Sequence, residues 1–162
     1  MLYNVKTKAK ERYMKVKIYS RKMLIKELER APLRSTAIIS FCDPSLEPIP
    51  LYGKCADYII IKIHDLDPEA LEKFGYTMQT YFSNASEVAE FIYKARENKY
   101  DIICQCEYGQ SRSAGCASAI LEHFSKSGIK IFANYKYYPN QLIFNKLLYA
   151  LNGHKRAQNT HV

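Results

Sequence analysis

Runs of apolar residues alternate with polar segments along most of the chain, and their lengths and periods predict alternating strands and helices. The apolar runs are short and rich in β-branched and aromatic residues, which is typical of strands buried in a sheet. The predicted strands cover residues 16–19, 36–41, 58–63 and 102–103. The run at 58–63 is the strongest strand prediction in the chain.

Segments with apolar residues at helical spacing follow these strands. The predicted helices cover residues 20–30, 83–99, 112–126 and 139 onward. Ser20 is expected to cap the first helix, and Ser83 and Ser86 are alternative caps for the second. Gly128 is expected to end the third helix, and a tyrosine-rich connector leads from there to the last one.

This alternation predicts a single α/β domain with a parallel-dominated central sheet flanked by helices. We expect the domain to cover residues 16–152, after a basic N-terminal extension at 1–15 and before a C-terminal tail at 153–162. Functional loops of such sheets lie at the carboxyl ends of the strands. The segment after Ile63 and the segment that contains Cys106 both occupy that position.

The segment from Cys106 to Ser113 has the features of an anion-binding loop. A cysteine at a strand end, five loop residues and an arginine at a helix start form a cradle for a tetrahedral oxyanion. No proline interrupts the loop, so its amides can donate, and Arg112 offers phosphate a planar pair of donors. Gly109 can adopt a positive φ. The expected phosphate-binding residues are Glu107, Tyr108, Gly109, Gln110, Ser111 and Arg112.

This loop resembles the Cys-x5-Arg loop of the cysteine-dependent protein tyrosine phosphatase superfamily, in particular its compact dual-specificity type. The matching positions are Cys106, Gly109, Ser111, Arg112 and Ser113. The stretch Tyr138-Pro139-Asn140-Gln141-Leu142 is similar to a Pro-Asn helix start that is common in the same family. The resemblance covers about residues 16–151. One position departs from it, because the family usually has histidine where this chain has Gln105.

The resemblance implies roles for individual residues. Cys106 is the expected nucleophile, Arg112 the group that stabilises the phosphoryl oxygens, and Ser113 the hydrogen-bonding partner of the sulfur. In the family an aspartate on a loop upstream of the cysteine is the general acid. Asp65 and Asp67 both have that placement, and the resemblance favours Asp65. Asp67 precedes a proline and could equally shape a turn.

The implied activity is hydrolysis of phosphotyrosine in proteins, with phosphoserine and phosphothreonine as further candidates. It proceeds through a phosphocysteine intermediate and uses no metal or other cofactor. The alternative from a different class is a phosphate-binding module that retains the cradle but does not turn over. Gln105 in place of histidine and the bulky Tyr108 in the loop motivate that alternative.

Composition narrows the class of protein further. A chain of 162 residues with 48% hydrophobic and 25% charged residues suits one soluble globular domain. It has no apolar stretch of membrane-spanning length and no signal-peptide-like start, so we expect a cytoplasmic protein. Five irregularly spaced cysteines argue against a disulfide framework and a zinc site.

The net charge of +8 favours anionic partners. Basic residues cluster near the start of the chain, at Lys6, Lys8, Lys10, Arg12, Lys15 and Lys17. No aromatic-interleaved RNA-binding motif accompanies this cluster. The expected partner is therefore a phosphoprotein or phosphopeptide rather than a nucleic acid.

Overall fold

The apolar runs of the chain form one five-stranded sheet with helices on both faces. The structure is a computed structural model that describes residues 2–6 and 13–159. The strands are β1 (Leu2–Lys6), β2 (Tyr13–Ser20), β3 (Leu33–Cys42), β4 (Cys55–Lys62) and β5 (Asp101–Cys106). The helices are α1 (Arg21–Arg30), α2 (Ala85–Glu97), α3 (Arg112–Ser125), α4 (Ile129–Phe132) and α5 (Gln141–Asn159). Two short 3₁₀ turns, Pro68–Ala70 and Glu72–Phe74, lie between β4 and α2.

The strand order is β1-β2-β5-β3-β4, and every neighbouring pair is parallel except β1 with β2. This confirms the predicted α/β fold with a mainly parallel sheet. Because β2, β3 and β5 run in the same direction, their carboxyl ends meet at one edge. Gln105 near the end of β5 pairs with Tyr19 on one side and with Ser40 on the other.

Side chains of β5 alternate between two apolar layers, as successive residues of a strand must. Ile102 and Cys104 are buried in the larger layer beneath α2, α3 and α5. Ile103 faces the smaller layer, where it lies in one cluster with Leu24 of α1 and Ile38 of β3. Each fully buried Leu or Ile contributes about 1.5–3 kcal/mol relative to an exposed one. Burial on both faces therefore fixes β5, whose end carries Cys106.

Both predicted domain boundaries fall inside regular elements. Residues 2–6 form β1, which pairs antiparallel with β2, so part of the segment predicted as an extension belongs to the sheet. The boundary at residue 16 lies within β2, and α5 continues beyond residue 152 to Asn159. Of the predicted basic cluster, Lys15 and Lys17 lie in β2, whereas residues 8, 10 and 12 are outside the described part of the chain.

The helix ends agree with the sequence in one case and differ in two. Ser20 caps α1, with its Oγ accepting from Met23 N at 3.2 Å. The predicted caps of α2 are wrong, because this helix begins at Ala85 after Phe82 has taken a left-handed conformation (φ +53°). The third helix, predicted over 112–126, covers Arg112–Ser125, but the residue that ends it is a left-handed Lys126 and not Gly128. The short α4 lies in the tyrosine-rich connector, where no helix was predicted.

Across residues 2–6 and 13–159, no helix is long and apolar enough to cross a membrane.

Candidate active site

The loop after β5 turns its carbonyl groups outward. Glu107 O accepts from Arg21 N at 3.1 Å, Gln110 O from Tyr138 N at 2.9 Å, and Ser111 O from Asn140 N at 3.1 Å. Among the described residues, no backbone hydrogen bond outside regular elements uses an amide of residues 107–112 as its donor. The loop is thus held from outside by its carbonyl oxygens, and its amides remain available to an anion at its centre.

Gly109 is the loop position where a side chain does not fit. Its φ is +69°, and a Cβ there would lie 2.6 Å from Ser20 N and 2.9 Å from the carbonyl carbon of Tyr19. The loop therefore rests directly on the backbone where β2 meets α1. Glycine is required both by the left-handed conformation and by this close approach.

Cys106 is the last residue of β5, and its side chain is buried beneath the loop. Its Sγ lies 3.0 Å from Ser113 Oγ, in the first turn of α3. This contact places the sulfur at the N-terminal end of α3, which begins at Arg112. The structure thus brings the predicted nucleophile and its predicted partner into contact.

Arg112 is only 3% exposed, and two groups hold its guanidinium. Nη1 donates to Asp43 Oδ1 at 2.9 Å and to the Ile63 carbonyl oxygen at 2.7 Å. Its Nε is buried, and none of the described residues accepts a hydrogen bond from it. A buried donor without an acceptor costs about 1–3 kcal/mol. A phosphate oxygen bound in the cradle could accept the hydrogen bond that Arg112 Nε lacks.

Asp65 lies against the loop, and Asp67 does not. Asp65 Oδ1 accepts from Ser111 Oγ at 2.8 Å and from Asn140 Nδ2 at 2.9 Å. Ser111 occupies the N-cap position of α3, yet its hydroxyl bonds this carboxylate instead of capping the helix. Asp67 caps the turn Pro68–Ala70, accepting from Ala70 N at 3.0 Å. Of the two predicted aspartates, Asp65 is therefore the one positioned beside the cradle.

Asn140 joins the Asp65 loop to the start of α5. Besides Asp65, its Nδ2 donates to the Leu66 carbonyl at 2.9 Å, while its Oδ1 accepts from Ile143 N at 2.9 Å. Its backbone also packs on α3, where a Cβ on Gly115 would lie 2.5 Å from Asn140 O. One buried side chain thus caps a helix and orients a carboxylate.

Gln105 faces the layer opposite to Cys106, as strand alternation requires. It is buried, and its Oε1 accepts from Ser40 Oγ at 2.6 Å. The Gln105 side chain is therefore hydrogen-bonded, and it braces β5 against β3 just before Cys106.

The loop between β4 and α2 is anchored by a buried tyrosine. Tyr81 OH donates to the His64 carbonyl oxygen at 2.8 Å. Burial raises the pKa of Tyr81 to about 12, so its hydroxyl stays protonated and remains a donor at neutral pH. This bond holds the backbone next to Asp65.

Three residues of the site were not identified from the sequence, namely Asp43, Asn140 as the partner of Asp65, and Ser40. Asp43 directly follows β3, so its position at the carboxyl edge of the sheet was an available indication. The pairing of Asp65 with Asn140 spans 75 positions of sequence and had no local indication. In the described part of the chain, no group of three His, Cys, Asp or Glu side chains is arranged to hold a metal ion.

The fold is shared with solved phosphatases of the dual-specificity type. Human DUSP28 matches with a TM-score of 0.54 and 14% identity over 88% of this chain and 94% of that chain. A mouse dual specificity phosphatase complexed with zinc tungstate matches with a TM-score of 0.55 and 13% identity over 90% of this chain and 86% of that one. The PTP-2 phosphatase of Cydia pomonella matches with a TM-score of 0.52 and 15% identity over 90% of this chain and 89% of that one.

No family model matches the chain, and no curated protein matches it in sequence. The structural likeness therefore establishes the fold, which is that of the compact dual-specificity cysteine phosphatases. The resemblance inferred from the loop is confirmed at this level.

Proposed function

We propose that this protein hydrolyses phosphomonoesters of proteins through a phosphocysteine intermediate. The observation that carries the proposal is a convergence on one cradle. Cys106 Sγ lies 3.0 Å from Ser113 Oγ at the start of α3, and the loop between them has amides without backbone acceptors among the described residues. Arg112 ends that loop with a buried Nε that lacks an acceptor there, and Asp65 accepts from Ser111 of the same loop. A nucleophile, oxyanion donors and a candidate general acid are the parts that phosphoryl transfer to sulfur requires.

In the first step the Cys106 thiolate attacks phosphorus in line with the leaving oxygen. The S–P bond forms as the P–O bond to the substrate breaks. Arg112 and the loop amides stabilise the charge that spreads over the equatorial oxygens. Asp65 gives its proton to the leaving oxygen, which departs as a tyrosine or serine hydroxyl.

In the second step Asp65, now a carboxylate, takes a proton from water. The water oxygen attacks phosphorus, the S–P bond breaks, and inorganic phosphate leaves. Ser113 Oγ, 3.0 Å from the sulfur, donates to the departing thiolate and makes it a better leaving group.

Phosphotyrosine is the proposed principal substrate, with phosphoserine and phosphothreonine as further ones. Tyr108 in the loop and Tyr138, whose N donates to Gln110 O, are both exposed and offer aromatic surface to a substrate ring. The loop carries Glu107 instead of additional lysines, which disfavours highly anionic phosphoinositides. The dual-specificity phosphatases that share the fold support the same class of substrate.

The test is hydrolysis of p-nitrophenyl phosphate in EDTA and reductant, with phenyl phosphate as a second ester. We expect turnover by the wild type and none by Cys106→Ser. Asp65→Asn should lose about 10²–10⁴-fold on phenyl phosphate, whose leaving group needs a proton, and much less on the nitrophenyl ester. Asp67→Asn is the matched control and should keep activity on both esters.

An inert wild type would overturn the hydrolase proposal. Binding of a phosphotyrosine peptide by that inert protein would then assign the cradle to phosphate recognition without turnover.

A further inference from the structure

A second groove, with a volume of about 810 Å³, meets the cradle at Glu107 and Tyr108. Its other wall is one side of α1, with the basic residues Arg21, Lys22 and Lys26 and the apolar Ile25. We name this the α1 groove. A cleft of about 480 Å³, lined by Asp65 and Ser111, lies at the other end of the loop. A substrate held in the cradle therefore has one neighbouring segment on each side.

The α1 groove and the cradle are joined by backbone contacts. Arg21 N donates to Glu107 O at 3.1 Å, and Gly109 rests on the backbone of Ser20. The first turn of α1 and the phosphate-binding loop thus form one continuous surface. A peptide that places its phosphate over Cys106 brings its neighbouring residues within reach of α1.

The basic side chains of the α1 groove form no ion pair with any of the described residues. In the described part of the chain, no carboxylate lies within 4.0 Å of the charged groups of Arg21, Lys22 or Lys26. Lys22, Ile25 and Lys26 share a face of α1, because residues three and four apart are neighbours on a helix. Ile25 is 37% exposed and Tyr108 80% exposed, so apolar surface lies between the charges.

The two sides of the cradle have opposite charge. The cleft beside Asp65 also contains Asp67 and Glu69 and, in its lining, no Lys or Arg. The α1 groove has three basic residues against the carboxylates of Glu29 and Glu107. This asymmetry favours a substrate whose acidic side lies along α1 and whose other side is neutral or basic.

We propose that the α1 groove binds an acidic segment next to the phosphorylated residue of a protein substrate. This inference rests on the proposed function, because it extends from the same cradle. The carboxylates of Glu29 and Glu107 interrupt the basic surface, so the α1 groove suits a peptide with separate acidic side chains better than a continuous anionic membrane. Ile25 and Tyr108 would pack on an apolar side chain of the same peptide.

Binding is measured by fluorescence anisotropy with the Cys106→Ser protein, which retains the cradle without turnover. Phosphotyrosine peptides carry glutamates before the phosphotyrosine, glutamates after it, or alanines at both places. We expect one of the acidic peptides to bind about fivefold to tenfold more tightly than the alanine peptide, as exposed charge pairs allow. The additional substitutions Lys22→Glu and Lys26→Glu should reduce that ratio to about one. Because the ratio is measured within one protein, it does not depend on how much of each preparation is folded.

The matched control adds Lys130→Glu and Lys155→Glu, which make the same charge change at exposed positions of α4 and α5. This control should keep the preference. Equal affinity for all three peptides, or an equal loss of preference in the control, overturns the inference. A third result would also overturn it. If the Lys22→Glu and Lys26→Glu substitutions abolish binding to phosphatidylcholine vesicles that contain phosphatidylserine but leave the ratio of peptide affinities unchanged, the α1 groove binds lipid and not a peptide. Turnover of p-nitrophenyl phosphate by the wild type is read separately, so a failure of the hydrolase proposal is distinguishable from a failure here.

Discussion

Asn140 Nδ2 lies 2.9 Å from Asp65 Oδ1, and through this bond the first turn of α5 fixes the loop that follows β4. The same side chain caps α5 through its Oδ1. Asn140 is therefore a positioning residue in the proposed mechanism. Its two functions use different atoms, so suitable substitutions can separate them.

Asn140→Asp keeps an oxygen that can accept from Ile143 N but removes the donor to Asp65. We expect a melting temperature near that of the wild type and about tenfold slower turnover of phenyl phosphate, since general-acid help is partly lost. Asn140→Ala should in addition lose about 1 kcal/mol of stability with the cap. Equal losses on phenyl phosphate and p-nitrophenyl phosphate in Asn140→Asp would contradict the positioning role, because only the phenyl ester needs a proton on its leaving group.

Asp43→Ala tests the support of Arg112. The carboxylate accepts from Nη1 at 2.9 Å, and hydrogen bonds to charged groups contribute about 1.5–3 kcal/mol. Without this bond only the Ile63 carbonyl still holds that nitrogen, so we expect KM for p-nitrophenyl phosphate to rise about tenfold. Steady-state kinetics measures this.

Asp57→Ala is the matched control for Asp43→Ala. It removes the ion pair with Lys94 near the amino end of β4, where Lys94 is exposed and solvent screens the interaction. Its KM should equal that of the wild type. A similar rise of KM in both variants would indicate a general loss of structure instead of a specific loss of phosphate binding.

The fold was predictable because its determinants are local. The buried half of β3 is a mainly apolar run from Ala37 to Phe41, and Ser20 caps α1 as its position indicates. The cradle was predictable for the same reason, since Cys106 and Arg112 lie within one short segment. β1 was missed because its order comes from pairing with β2 and not from an apolar run of its own.

The rest of the site depends on contacts between distant elements. The sequence alone did not decide which of Asp65 and Asp67 is the candidate general acid. In the structure, only Asp65 is contacted by Ser111 and Asn140. The start of α2 was misjudged at Ser83 and Ser86 because Phe82 takes a positive φ that only tertiary packing can impose. Burial of Arg112 likewise comes from three strands that meet at one edge.

Gly109→Ala should abolish cradle function with a modest cost in stability. A left-handed φ costs a side chain about 1–2 kcal/mol, and here the new Cβ would also meet Ser20 N at 2.6 Å. Because the neighbour is backbone, the loop must shift, and its amides move with it. We expect at least about a hundredfold lower kcat/KM for p-nitrophenyl phosphate, in line with the loss of aligned oxyanion donors.

Gly53→Ala is an unusually close control for that change. Gly53 has a φ of +71°, and a Cβ there would have nothing within 4 Å. This variant should lose about 1 kcal/mol of stability from backbone strain alone and keep its activity. Equal activities in the two variants would show that the contact with Ser20 does not position the loop.

The buried histidine of α3 predicts a pH dependence of stability. His123 Nδ1 contacts Asn152 Oδ1 at 2.8 Å, and because that oxygen only accepts, Nδ1 is the donor. Nε2 is then the atom that accepts from Tyr93 OH at 2.7 Å. Protonation of Nε2 would replace this acceptor by a donor inside an aromatic cluster. Burial accordingly lowers the pKa of His123 below its ordinary value of 6.5.

Since the unfolded chain binds this proton at higher pH than the folded protein does, the free energy of unfolding should decrease as the pH falls below about 6.5. Urea unfolding between pH 7.5 and pH 5.5 measures the decrease. His123→Gln removes the titrating group and should flatten this part of the profile, although its stability at pH 7.5 will be lower. His64→Gln, on the loop after β4, is the control and should retain the wild-type slope. If the free energy of unfolding of His123→Gln shows the same slope with pH as the wild type, the pH dependence comes from other groups. The contacts of His123 with Tyr93 and Asn152 would then contribute only to packing.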